Sequence, residues 1–163
     1  MNHRRLHDAF APARSVSSLH NMTNLRSKTF HKSWLLVTAI VVGVGGPIFS
    51  LATVADTDEL ARWTLDLLAW PIDGRQQYSE GAMRFLTALT GGFLFGWGAM
   101  IFCLRQWVYD LAPEQTRRAV VAGLVAWFLL DSTGSIAAGV PSNAFFNVLV
   151  LLLAVGPLWR SAE

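Results

Sequence analysis

Asp131 and Ser135 stand four residues apart in a mostly apolar stretch, residues 119–140. At that spacing a carboxylate and a hydroxyl share one face of a helix. Asn143 and Asn147 have the same spacing in the next stretch, and Thr87 and Thr90 are three apart in an earlier one. Ser50 lies near the end of the first. These side chains can donate and accept hydrogen bonds, exchange a proton at Asp131, or hold the polar end of a ligand. They do not make a nucleophile–base pair, because no His and no second carboxylate accompanies Asp131. His3, His7, His20 and His31 all precede the apolar stretches. His3 and His7 have helical spacing, but no third ligand is near, so no metal site is expected. There is no phosphate-binding Gly-rich loop, no Gly-x-Ser-x-Gly elbow and no Cys-x-x-Cys. No cofactor is expected.

The elements that must carry these residues follow from segmentation. Of 163 residues, 53% are hydrophobic. They gather in four runs, at about 34–55, 82–104, 119–140 and 144–158. About 20 apolar residues cross the roughly 30 Å of hydrocarbon in a bilayer. Backbone groups in lipid must be satisfied internally, which restricts spans to helices or closed barrels. Nothing alternates with period two, so a barrel is excluded. The predicted fold is all-α, an integral membrane four-helix bundle.

Charge sets the expected orientation. Residues 1–32 carry Arg4, Arg5, Arg14, Arg26, Lys28 and Lys32 against Asp8. The second loop holds Arg105, Arg117 and Arg118, and the C-terminus holds Arg160. The segment between the first two runs is acidic, with Asp56, Asp58, Glu59, Asp66, Asp73 and Glu80 against Arg62 and Arg75. The positive-inside rule then makes both termini cytoplasmic. Trp34, Trp107, Tyr109 and Trp159 fall at the predicted inner boundary, and Trp63, Trp70 and Tyr78 at the outer one, as amphipathic rings prefer.

Residues 1–32 are expected to form a basic, polar, disordered cytoplasmic tail, followed by a membrane domain over 33–160. An Arg- and Ser-rich targeting peptide and a start at Met22 stay open as other readings of that tail. Its charge suits anionic lipid, and no nucleic-acid partner is expected. Within the first run, Pro47 predicts a kink. A cleavable signal remains an alternative reading of that run. The stretch "DTDELARWTLDLLAWPIDG" predicts a short interfacial amphipathic helix. Asp56 and Glu59 open it as a capping box. Leu60, Trp63, Leu67 and Trp70 share an apolar face, and Glu59, Arg62 and Asp66 a polar one.

Ala88, Gly92 and Gly96 recur every four residues in the second run. That spacing lets a partner helix approach closely, in the same chain or in another copy. At about 1.5 Å per residue, Asp131 and Thr90 fall roughly 12–13 Å below the outer boundary. Ser135, Thr87, Ser50 and Asn147 fall roughly 6–8 Å below it. The polar side chains therefore collect in the outer half. They outline a pocket of Asp131, Ser135, Thr87, Thr90, Asn147 and Ser50, open to the outside and floored by Phe95, Trp97, Trp127 and Phe128. A charged carboxylate facing lipid there costs at least about 2.5–3.5 kcal/mol, so Asp131 is expected to face the bundle or water.

"GWG" in the second run and "AWFLLDSTGSIAAGVPSNAFFNV" across the last two resemble segments of small uncharacterised four-helix inner-membrane proteins of bacteria. Those proteins carry a similar Asp-Ser-x-Gly-Ser segment in the third span. The resemblance covers roughly Trp34 to Trp159. It implies a bacterial inner-membrane location and a four-helix bundle, and it implies no activity. Three functions are expected to compete, the last of them a membrane enzyme, for which the sequence offers no catalytic constellation. The first is a non-enzymatic protein that acts in the lipid bilayer by helix association, as a homo-oligomer or an accessory subunit of a membrane protein partner. The second is a small transporter, channel or ligand-binding protein using the pocket around Asp131.

Overall fold

The computed structural model describes residues 13–78 and 80–161 and is all-helical among them. Helix α1 (Ala13–Gly43) leads into a short α2 (Gly45–Leu51). Then follow α3 (Glu59–Ala69), α4 (Gly81–Cys103), α5 (Pro113–Ala137) and α6 (Pro141–Val155). Among the described residues, four helical stretches are long and apolar enough to cross a membrane: Leu25–Leu51, Gly81–Val108, Pro113–Ala137 and Pro141–Trp159. The expected runs match these in number and order. Their ends differ because helices continue through polar residues wherever backbone hydrogen bonding continues. Pro113 and Pro141 each open a helix in its first turn, where a missing N–H costs nothing.

The first span breaks for one residue, Val44, where Gly45-Gly46-Pro47 follows. Pro47 supplies no amide to the carbonyl four residues back, so the helix cannot run on undisturbed. At the other end α1 departs from expectation. Residues 13–32 are helical instead of a disordered tail; residues 1–12 lie outside the described residues. The contacts explain residues 28–32. Tyr109 donates its hydroxyl to the Lys28 carbonyl (3.0 Å), and Arg105 Nε donates to the Lys32 carbonyl (2.9 Å). Lys32 pairs with Asp110. His31, read from sequence as part of the tail, is buried.

The spans pack as two pairs. Helices α1 and α2 lie along α4, and α5 lies along α6; the pairs meet where α1 crosses α6. Glycine makes the first pairing close. A Cβ built at Gly98 would stand 2.6 Å from the Gly43 Cα, and one at Gly91 would stand 2.5 Å from the Ser50 Oγ. The seam is thus Ala39, Gly43, Gly46 and Ser50 against Gly91, Phe95 and Gly98. The expected packing stripe of Ala88, Gly92 and Gly96 is not the face of α4 that meets α1 and α2. Gly92 and Gly96 are exposed, and a Cβ on either meets nothing within 4 Å. Gly91 and Gly98 lie on a neighbouring face of the same helix, and that face meets α1 and α2.

At the α1–α6 crossing the C-terminus of α6 is capped from outside. Pro157 has no amide to offer the Leu153 carbonyl, and Trp34 Nε1 donates to it instead (3.2 Å). Thr38 Oγ1 donates to the Ala154 carbonyl (2.6 Å). Gly156 turns the chain there at φ +41°, against the Trp34 ring.

Helix α3 packs on α2 and α6 at the acidic-loop end of the bundle. Ala61 and Leu65 face inward with Ala52 and Tyr78, while Trp63 and Trp70 are exposed. The expected polar face is corrected at Asp66. That carboxylate is buried and accepts the Gly74 amide (2.9 Å) and the Gln76 amide (3.4 Å), which fixes the loop after α3. No side chain caps the start of α3, so the capping box is absent; Asp58 instead pairs with Arg62 (3.1 Å).

Of the aromatic residues expected at the two boundaries, Trp63, Trp70, Trp107 and Trp159 are exposed, and both tyrosines of the chain are buried. Tyr78 donates to the Ala61 carbonyl (3.3 Å) as Tyr109 does to Lys28. Burial pushes both phenols up to about 12, helped by Asp58 at Tyr78 and by Asp110 and Glu114 at Tyr109. The folded state therefore prefers the neutral phenol. Its contribution is full below about pH 10, the ordinary tyrosine value, and is lost as pH rises through about 12. Tyrosinate absorbance of the folded protein should stay flat past pH 10 and rise only near 12. A half-titrated signal at pH 10 would show that neither phenol is held as described.

Candidate functional site

Helices α5 and α6 form an antiparallel hairpin closed by the turn Ala138–Val140, where Gly139 takes φ +80°. The turn is tied down by α3, since Ser142 Oγ donates to the Leu68 carbonyl (2.6 Å). With that register, the i, i+4 pair Asn143 and Asn147 on α6 faces Asp131 and Ser135 on α5. Asn147 Nδ2 donates to Asp131 Oδ2 (2.5 Å) and to Ser132 Oγ (3.2 Å). Asn143 Nδ2 donates to the same Asp131 Oδ2 (3.1 Å) and to Ser135 Oγ (2.7 Å). Both amides thereby use both of their N–H donors. Asp131 Oδ2 is doubly occupied, while no described residue donates to Oδ1. Among the described residues Asp131 enters no ion pair.

Beside this network lies a cavity of about 290 Å³. It exists because α4 and α5, consecutive in sequence, belong to different pairs and make little backbone contact. Each span lends it one helical stripe: Thr90, Leu94 and Trp97 from α4; Leu124, Trp127 and Asp131 from α5; Asn143, Phe146, Asn147 and Val150 from α6. The break between α1 and α2 adds Val44, Gly45 and Phe49, and α3 reaches in with Leu68. The polar residues Thr90, Asp131, Asn143 and Asn147 gather toward the α3 end. Trp97 and Trp127 bridge the gap between α4 and α5 farther in, edge to face with centroids 6.2 Å apart.

Three of the six pocket residues expected from sequence line the cavity: Asp131, Thr90 and Asn147. Ser135 joins through Asn143 without lining it. Ser50 and Thr87 do not belong. Ser50 faces Gly91 in the α2–α4 seam, and Thr87 is buried with its hydroxyl donating to the Met83 carbonyl (2.7 Å). Of the expected floor, Trp97 and Trp127 line the cavity; Phe95 packs on Gly46 instead and Phe128 lies off the lining. Asn143 belongs to the site, as its shared face with Asn147 allows. Ser132 had no signal in the sequence, because its place follows from how closely α6 lies against α5.

The arrangement has the parts of a binding site for a small molecule: a concave, partly open and mainly apolar volume with a few convergent polar groups at one end. It has no nucleophile–base pair. Comparison of the chain with known protein families, with curated proteins and with solved structures finds no match.

Proposed function

We propose that this is a multi-pass protein of a bacterial inner membrane that binds a small, mainly apolar ligand in the cavity between its helix pairs. Both termini are cytoplasmic in this reading, and α3 lies at the outer surface, covering one side of the cavity mouth. The observation that carries the reading is the cavity of about 290 Å³ with Asp131 in an otherwise largely apolar wall. Helix–helix adhesion alone needs no such volume, because packing is best where no gap remains. Native mass spectrometry of protein extracted gently from its own membrane tests it. One small-molecule adduct is expected, and Val150→Trp, which fills the cavity, is expected to lose it. A wild-type protein without an adduct, or an adduct indifferent to Val150→Trp, overturns the reading.

A second reading is association through the outward face of α4. The open surface at Gly92 and Gly96 favours it, since small residues there leave room for a helix of another copy or of a partner subunit. Under it, Gly92→Leu changes the oligomeric state while leaving the cavity and its adduct intact.

A further inference from the structure

We infer that the ligand of this cavity is an organic cation, a lipophilic amine or quaternary ammonium, whose positive centre sits between Asp131 and the indoles of Trp97 and Trp127 and whose apolar body fills the rest of the cavity. The inference rests on the ligand-binding reading and names the chemical class that reading leaves open.

The first ground is charge. Asp131 lines the cavity, no Lys, Arg or His lines it with it, and no ion pair reaches it from any described residue. A carboxylate removed from bulk water is costly without a compensating charge. The second ground is hydrogen bonding. The neighbouring amides spend their four N–H groups on Asp131 Oδ2 and two serine hydroxyls, and Thr90 donates to the Leu86 carbonyl (2.9 Å). Asp131 Oδ1 is left without a donor among the described residues, so the polar end offers acceptors to what enters. The third ground is the pair of indoles, the aromatic surface that attracts cations most strongly. An inorganic cation fits less well. A Ca²⁺ ion takes about 6–8 oxygens, and the rest of this lining is hydrocarbon and aromatic.

The test uses the purified full chain in detergent micelles and two isosteric probes. One is benzyltrimethylammonium; the other is neopentylbenzene, which has the same shape and no charge. Calorimetric titration should give saturable binding of the cation and at least about tenfold weaker binding of the hydrocarbon, a factor that corresponds to 1.4 kcal/mol. Asp131→Asn should lower affinity for the cation at least about tenfold and leave the hydrocarbon unchanged. Trp97→Leu should weaken the cation by about two- to thirtyfold, the range from an exposed to a desolvated cation–π contact. Should Asp131→Asn fail to fold, Asp131→Glu carries the test and should keep the preference for the cation. Equal affinity for the two probes, or cation binding indifferent to Asp131→Asn, overturns the cation class while the cavity remains a binding site. No saturable binding of either probe also overturns it. If the native protein then carries no adduct, the ligand-binding reading falls as well.

Discussion

Gly98→Leu should unfold or loosen the bundle at detergent concentrations that leave the wild type intact. A Cβ at this position would stand 2.6 Å from the Gly43 Cα, 2.7 Å from the Ala39 carbonyl oxygen and 2.8 Å from the Gly43 nitrogen. All three are backbone atoms, so no rotamer change can clear them. Helix α1 must move away from α4, and the close contacts along Ala39, Gly43, Gly46 and Ser50 are lost together. Overpacking of an adaptable core costs about 1–3 kcal/mol; a rigid seam places this substitution at or above the top of that range. Gly96→Leu, two residues earlier on the same helix, is the control. A Cβ there meets nothing within 4 Å. It replaces glycine by a better helix former, worth up to about 1 kcal/mol. Denaturation by sodium dodecyl sulfate, followed by circular dichroism, should show Gly98→Leu strongly destabilised and Gly96→Leu unchanged or more stable. Equal midpoints for the two variants would show that α1 and α4 do not meet along this seam.

The same two glycines show what a sequence can and cannot disclose. Four apolar runs fixed the number and order of the long helices, because a run of that length has few other ways to satisfy its backbone. Which face of α4 meets α1 was not legible. "TGGFLFGWG" contains overlapping small-residue stripes, and a shift of one residue turns the helix by about 100°. Only the matching small residues on α1 and α2, Ala39, Gly43 and Gly46, select Gly91 and Gly98. The acidic-loop end was hidden for a related reason. Asp66 reads as solvated on a helical wheel, yet it is buried because the loop after α3 folds back and brings two amides to it. The site was more legible. Asp131, Thr90 and Asn147 were legible as polar residues collected in the outer halves of three runs, Asp131 and Thr90 at one depth and Asn147 shallower. Ser50 and Thr87 satisfy the same criterion and fail because depth says nothing of rotation about the helix axis.

Asp131→Leu should destabilise the α5–α6 hairpin by about 1–3 kcal/mol. Two amide donors lose their shared acceptor, and hydrogen bonds between membrane helices are worth about 0.6 kcal/mol on average and up to about 1.7 kcal/mol each. The short Asn147 bond belongs at the upper end, because Asn147 is buried at 5% exposure and its amide has few other acceptors within reach. Asp131→Asn should cost less, since it retains a carbonyl acceptor in the place of Oδ2. The triple variant Asp131→Leu, Asn143→Leu and Asn147→Leu should recover much of the loss. It removes the stranded amides along with the carboxylate, and replacing every partner by apolar groups is far cheaper than removing one. Ser132 and Ser135 can then turn their hydroxyls to carbonyls of their own helix. This non-additivity separates a connected network from three polar residues that merely share a level, for which the losses would sum. A single Asp131→Leu variant as stable as the wild type, with a triple variant no better than the sum of its parts, would mean that α5 and α6 are held together by packing alone.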